Sequence, residues 1–295
     1  MYVITGATGH TGKIIAEQLL AAGKQVKVIG RSAERLADLV AKGAVPAIGT
    51  LSDAAFLTDA FQGATAVYLM IPPDWGTTDW AAFQRGIANA FLQALPAAGV
   101  QKVVVLSSQG AHLIEGAGPV SRLAELEQGL AQIPGLHSLS LRPGFFMENL
   151  YANIGLIKQA GIFGYSLKSE IRLPIIHTRD IAAAAIQHLL SLDFQGHTHQ
   201  FLGGAADLTM QEAATILGTS IGKPDLGYVY FEPAAAKAGM MQAGISETIA
   251  DGYNELFDAL NTGIYQEGYS RTPEVTTPTT LEWFAENEFK YAFAG

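Results

Sequence analysis

Short β-branched runs alternate with amphipathic stretches through the first half of the chain. Runs at Tyr2–Thr5, Gln25–Gly30, Ala44–Ile48, Ala66–Ile71, Lys102–Ser107 and His137–Leu141 predict strands. The stretches between them, Thr11–Ala22, Ser32–Lys42, Asp53–Phe61, Thr78–Ala98 and Pro119–Gln132, predict helices. Strands separated by helices of this length need crossover connections and therefore form a parallel sheet. Gly23, Gly43, Gly63 and Gly99 each follow a predicted helix and precede a strand, where a left-handed residue ends the helix. The pattern predicts an α/β fold with a Rossmann-like, doubly wound parallel sheet and a small C-terminal α/β lobe.

After Pro143 the rhythm changes. Phe145–Ile157 reads as helical, Ile171–Ile176 as a strand, Arg179–Leu192 as a helix and His199–Leu202 as a strand. Thr209–Leu217 and Ile245–Leu260 read as helices, and Thr276–Phe284 as a short capped one. The division expected is a dinucleotide-binding core over residues 1–150. Residues 151–295 return to that core in part and build a small substrate lobe.

The strongest local signal is Gly6-Ala7-Thr8-Gly9-His10-Thr11-Gly12, which follows the first strand and opens the first helix. In that setting the first glycine permits a tight turn, the second lets backbone approach a pyrophosphate, and the third lets helix pack on strand. Free N–H groups and the positive helix end then face the phosphates. The spacing is Gly-x-x-Gly-x-x-Gly rather than Gly-x-Gly-x-x-Gly. At the end of the second strand the chain reads Gly30-Arg31-Ser32, with no acidic residue between Lys24 and Ala33. An acid there would bind a ribose 2′-hydroxyl, whereas arginine accommodates a 2′-phosphate. Arg31, helped by Ser32 and Arg35, therefore points to NADP(H), with NAD(H) as the alternative.

Composition narrows the remaining classes. The 295 residues are 49% hydrophobic and only 15% charged, which supports a large core and excludes a disordered chain. Net charge is −9 and the 18 Lys and Arg form no basic stripe, so direct nucleic-acid binding is not expected. There is no cysteine, which removes disulfides, thiol nucleophiles and Cys-ligated metals. The His residues show no metal-ligand spacing, and no metal is expected. No apolar run reaches the ~18 residues of a membrane span. No basic leader precedes the first motif, so the expectation is a soluble cytoplasmic protein without membrane contact. The low charge leaves room for a subunit contact, and a homodimer is one expectation.

With the glycine loop and Arg31 in view, three later segments carry a resemblance. They are Leu69-Met70-Ile71-Pro72-Pro73, Val104-Val105-Leu106-Ser107-Ser108-Gln109-Gly110-Ala111 and Leu141-Arg142-Pro143-Gly144-Phe145-Phe146-Met147-Glu148-Asn149. Together with Thr279-Thr280-Leu281-Glu282-Trp283-Phe284 they resemble the NmrA-like group of atypical short-chain dehydrogenase/reductases, over nearly the whole chain. The resemblance implies an NADP-binding Rossmann core with a small lobe over a cleft. Its members include NAD(P)H-dependent quinone reductases, reductases of aromatic dyes, and non-catalytic redox sensors. One departure is Gly49-Thr50-Leu51, where the family usually carries Gly-Asp after the third strand; Asp53 reads instead as a helix cap.

Typical short-chain dehydrogenases use Tyr-x-x-x-Lys as their acid. None of the ten tyrosines has lysine four residues on, and Pro119 and Leu123 stand about where that pair belongs. Reducing a secondary ketone calls for a tuned acid, whereas a quinone or cationic dye needs mainly orientation against the nicotinamide. Ser107 and Ser108 end the fifth strand and are expected at the cofactor or substrate. Ile71 and Pro72 should wall the cofactor. By resemblance, Pro143 and Phe145 lie near the nicotinamide. Trp75, Gln109, Phe146 and Asn149 are candidate substrate contacts, and His112 is the nearest imidazole for a proton.

Two functions follow. One is an NADPH-dependent reductase of a small aromatic acceptor such as a quinone. The other is a non-catalytic NADP(H)-sensing regulator acting through a protein partner. A nucleotide-sugar epimerase or dehydratase shares the glycine loop, but it is expected to match only in the first half and needs the tyrosine acid.

Overall fold

The computed structural model describes residues 1–295. Its first half follows the predicted alternation: β1 (Tyr2–Ile4), α1 (His10–Ala21), β2 (Val26–Gly30), α2 (Ala33–Ala41), β3 (Val45–Ile48) and α3 (Ala54–Phe61). Then come β4 (Ala66–Leu69), α4 (Trp80–Ala97), β5 (Lys102–Leu106), α5 (Pro119–Leu130) and β6 (His137–Pro143). The six strands run parallel. Gly23, Gly43, Gly63 and Gly99 all take positive φ, as their stop positions demand. Asp53 caps α3 by accepting from the Phe56 N–H at 3.0 Å.

The second half contributes β7 (Phe145–Phe146), a 3₁₀ stretch at Met147–Asn153, α6 (Ile154–Ala160), β8 (Ile162–Tyr165), β9 (Leu173–Ile176) and α7 (Thr178–Ser191). It continues with β10 (His197–Leu202), β11 (Ala206–Leu208), α8 (Met210–Ser220), β12 (Gly227–Tyr230), α9 (Pro233–Gln242) and α10 (Glu247–Thr262). It ends with α11 (Leu281–Phe284), a widened turn at Ala285–Phe289, and α12 (Lys290–Ala294). The terminal helix thus runs on past Phe284, where the tail pattern predicts a stop.

The main sheet has the order β10-β6-β5-β4-β1-β2-β3, all parallel. Strand order reverses between β1 and β4, the place where open α/β sheets bind ligands. Both faces are covered, as a parallel sheet requires. Tyr2, Ile4, Val28 and Tyr68 point to one face with Ile15 and Leu19 of α1 and Ile181 of α7. Val3, Ile29, Val67 and Val103 point to the other with Leu57, Phe91 and Leu126. Strand periodicity of two divides neighbouring residues between the two cores.

A third core belongs to the C-terminal lobe, around Met147, Phe163, Leu173, Met210, Phe257 and Phe284. Two small sheets frame it: β11-β9-β7, and β12 paired with β8. The predicted helix over Phe145–Ile157 is corrected here. Phe145 and Phe146 are extended and pair in parallel with Ile175 and Ile176; the α-helix begins only at Ile154. Backbone partners on β9, distant in sequence, override the local helical pattern. Asp180 of α7 ties the lobe's tail to the core, accepting from the Thr279 N–H at 2.9 Å and its hydroxyl at 2.7 Å. No helix is long and apolar enough to cross a membrane.

Candidate functional site

A cleft of about 680 Å³ opens at the strand-order reversal, between the carboxyl ends of the strands and the C-terminal lobe. One end is built by backbone. Gly6 turns at φ +61°, and a Cβ there would sit 2.5 Å from the Met70 sulfur. A Cβ on Gly12 would lie 2.3 Å from the Gly6 carbonyl oxygen, so only glycine lets α1 start this close to β1. The Gly9 N–H donates to Gly6 O at 2.9 Å and closes the turn. α1 has no side-chain cap and no acid in its first turn, which leaves its free N–H groups facing the cleft. Beneath the loop, the buried Tyr68 hydroxyl donates to Thr11 Oγ1 at 3.0 Å. The Thr5 hydroxyl bridges to β4, donating to Tyr68 O and accepting from the Met70 N–H.

Gly6, Thr8, Gly9, His10, Thr11 and Arg31 all line this end, and Arg35 joins them. Neither guanidinium pairs with a carboxylate. Ser32 lies beside them but caps α2, accepting from the Arg35 N–H at 3.4 Å. Gly12 and Pro143 do not reach the cleft wall; Gly12 packs under the loop and Pro143 is buried in β6.

The other end is built by side chains. Ile71, Pro72, Trp75, Ser107, Ser108, Gln109, Phe145, Phe146 and Asn149 line it, as do Pro119 and Leu123. Ser107 donates to Glu127, which also holds Arg142 through Oε2 at 2.6 Å. That leaves the Ser107 oxygen free to accept. Glu148 holds the start of α7, accepting from the Thr178 N–H at 3.0 Å. Its other carboxylate oxygen, Oε2, is buried without a partner, as is Nε2 of Gln109. His112 stands outside the residues that line the cleft, with Nε2 3.0 Å from the Ile264 carbonyl, which requires Nε2 to carry the proton.

The family model described as NAD(P)H-binding matches residues 6–132. An NAD(P)H azoreductase from Xenophilus azovorans is 30% identical over 97% of this chain and 96% of its own length. An NADPH-dependent quinone oxidoreductase of Escherichia coli, solved with NADPH, superposes at TM-score 0.75 with 23% identity, over 98% of this chain and all of that one. NmrA matches at TM-score 0.69 with 18% identity, over 98% of this chain and 95% of that one. The chain belongs to the NmrA-like, NAD(P)H-binding group of atypical short-chain dehydrogenase/reductases. It is an NAD(P)H-dependent oxidoreductase. The expected half-chain limit on epimerase likeness is corrected. A Staphylococcus aureus structure described as a nucleoside-diphosphate-sugar epimerase superposes over 97% of this chain and 99% of its own, at TM-score 0.78 and 18% identity. Both share the whole fold.

The residues present suit a dinucleotide. A glycine cradle that any Cβ would fill, an uncapped helix start and two unpaired guanidinium groups are a donor set for phosphates and repel nothing anionic. No cluster of His, Asp and Glu is placed to hold a metal ion.

Five further cleft residues come from α10 and the turn after it: Tyr253, Leu256, Phe257 and Leu260 on the helix, and Tyr265 just beyond it. Sequence reasoning finds α10 as a helix but not its part in the site. Tyr253 stacks on Trp75 with ring centres 5.7 Å apart and planes 29° from parallel. Tyr265 is buried, and its hydroxyl lies 2.8 Å from Ser108 Oγ. Burial pushes both phenols up to about 12; the Ser108 hydrogen bond partly offsets this at Tyr265. The one signal available was spacing: Tyr253, Leu256, Phe257 and Leu260 form an apolar helical stripe.

Proposed function

We propose that this chain carries hydride from NADPH to a quinone or a similar conjugated aromatic acceptor, without a tyrosine–lysine acid pair. The observation that carries the reading is the cleft's lining. It joins an anion-binding turn to an aromatic wall and contains no lysine, with Pro119 and Leu123 on its surface. When bound, the nicotinamide supplies the hydride.

The protein's own groups do the rest. The Gly6–Gly12 turn and the α1 N-terminus bind the diphosphate. Arg31 and Arg35 seat the 2′-phosphate and favour NADPH over NADH, since no carboxylate lines that end of the cleft to bind a bare ribose. Ser107 and Ser108, at the end of β5, orient the cofactor's reactive end. Trp75, Phe145 and Phe146 hold a flat acceptor and exclude water; Asn149 and Gln109 supply polar contacts. An acceptor whose added electron pair is delocalised needs this orientation more than it needs an acid. The names of the Xenophilus and Escherichia relatives, an azoreductase and a quinone oxidoreductase, support acceptors of this kind.

The test is steady NADPH oxidation across a panel of quinones and azo and cationic dyes. Turnover with several of them, faster than with aliphatic ketones, is expected. Tight NADPH binding with no turnover on the whole panel would overturn the reading.

A further inference from the structure

The loop after β5 grips one residue of the C-terminal lobe at three points. Ser108 Oγ lies 2.8 Å from the Tyr265 hydroxyl. Gly110, at φ +84°, lies so close to the Tyr265 ring that a Cβ there would come within 2.4 Å of it. His112 donates through Nε2 to the carbonyl of Ile264, the residue before it, at 3.0 Å. A tyrosine clamped at its hydroxyl, its ring face and its backbone has lost the freedom that makes most cleft tyrosines adaptable. Both Tyr265 and Ser108 face the cleft. Beside them Gln109 has a buried Nε2 with no acceptor in the protein. The end of β5 thus gathers donors that the chain itself does not satisfy.

We propose that Tyr265, held by Ser108 and joined by Gln109, is the hydrogen-bond donor that seats the carbonyl oxygen of the acceptor. The assignment rests on the reductase reading above and refines it to acceptors that bear an oxygen. The chain of donors runs from the Ser108 hydroxyl to the Tyr265 oxygen, and from the Tyr265 hydroxyl to the acceptor. Each link polarises the next.

Tyr265 is a donor that keeps its proton. Burial makes it a weaker acid, near 12, than an ordinary phenol near ~10. No lysine lines the cleft to stabilise a tyrosinate. Proton transfer from it to a phenol-like hydroquinone monoanion is therefore disfavoured. The balance is then simple. The quinone gains a hydride, the electron pair comes to rest on its oxygen under the Tyr265 hydrogen bond, and the monoanion takes its second hydrogen as a proton from solvent as it leaves the cleft. The overall change is quinone, NADPH and one proton to hydroquinone and NADP⁺. Tyr265 is unchanged at the end and needs no relay to restore it.

The test compares the parent enzyme with Tyr265→Phe and Ser108→Ala, using a para-quinone and a cationic triarylmethane dye that carries no carbonyl. The phenyl ring keeps the contact with Gly110, so the fold is retained. Loss of a preorganised donor should lower the quinone-to-dye ratio of kcat/KM by about 10- to 100-fold in Tyr265→Phe. Ser108→Ala should lower it less, and the double variant should add little to Tyr265→Phe alone. If the parent takes no dye, NADPH affinity by calorimetry is the reference instead, and quinone turnover should fall against it. An unchanged ratio, or a loss equal for quinone and dye, overturns the assignment while the reductase reading stands. A parent enzyme that reduces nothing overturns both.

Discussion

The two ends of the cleft are built by different means. The glycine-turn end offers backbone N–H groups, a helix N-terminus and two unpaired guanidinium groups, and it depends on glycines that let backbone come close. At the acceptor end the surface is aromatic, and its polar groups are mostly tied to partners in the protein: Ser107 to Glu127, Ser108 to Tyr265, Glu148 to Thr178. The first end suits charge and should tolerate most side-chain changes except at its glycines and arginines. The second recognises shape and changes with each side chain.

The sharpest way to break the first end is Gly12→Val. Its Cβ would press on the Gly6 carbonyl, and overpacking of this kind costs about 1–3 kcal/mol. A lower Tm together with loss of calorimetric NADPH binding is the expected result; normal binding would show that the turn is not the phosphate cradle. Next in size is Arg31→Ala. A hydrogen bond to a charged group is worth about 1.5–3 kcal/mol, so KM for NADPH should rise roughly 10- to 100-fold while KM for NADH barely moves. Equal effects on both coenzymes would remove the 2′-phosphate assignment.

The acceptor end predicts a smaller change. Trp75→Ala removes the stack on Tyr253, and aromatic pairs contribute about 0.5–1.5 kcal/mol. KM for the aromatic acceptor should rise several-fold with KM for NADPH unchanged; a shift in both would mean that the two ends are not separable. The phenols of the same end make an alkaline prediction. Tyr253 and Tyr265 titrate near 12 when folded, above their unfolded value near ~10. Above pH 10 the unfolded chain has released these protons and the folded chain has not, so stability falls as pH rises through that window. Thermal melts from pH 8 to pH 11 should show Tm falling mainly above 10, and Tyr253→Phe should flatten part of the decline. The smallest effect belongs far from the cleft. Glu212 closes a capping box with Thr209, and the hydrogen bonds it accepts hold its carboxyl below the usual range. Its contribution is therefore present at neutral pH and lost as pH falls through the lowered value. Glu212→Gln should cost little in Tm at pH 7, and the cost should shrink as pH falls through the lowered value.

The same contrast explains what could be read from residue order. The glycine turn, its helix and Arg31 are neighbours along the chain, so local spacing exposes them. The βαβ alternation is visible because each strand and helix buries a face with its own period. The acceptor end is assembled from far apart: Ser108 and Tyr265 are 157 residues distant. Nothing in the stripe Tyr253, Leu256, Phe257, Leu260 tells whether it faces a core or a ligand, since both are apolar. Phe145-Phe146 looked helical because its strand partners, Ile175 and Ile176, lie on an element that local pattern cannot connect to it. β8 and β12 were missed for the same reason; each is four residues long and exists by pairing with the other.

The return of β10 to the main sheet binds the two halves of the chain in a way that a boundary at residue 150 would hide. All six residues from His197 to Leu202 run alongside β6. A fragment ending at 150 would carry the glycine turn and Arg31, yet it would leave β6 as a bare margin rich in unmet amides, ready to recruit any extended neighbour. Truncation for a minimal coenzyme module would yield a precipitate sooner than a domain. Covering β6 takes the polypeptide at least through Leu202, and covering the lobe's core takes the helices beyond it.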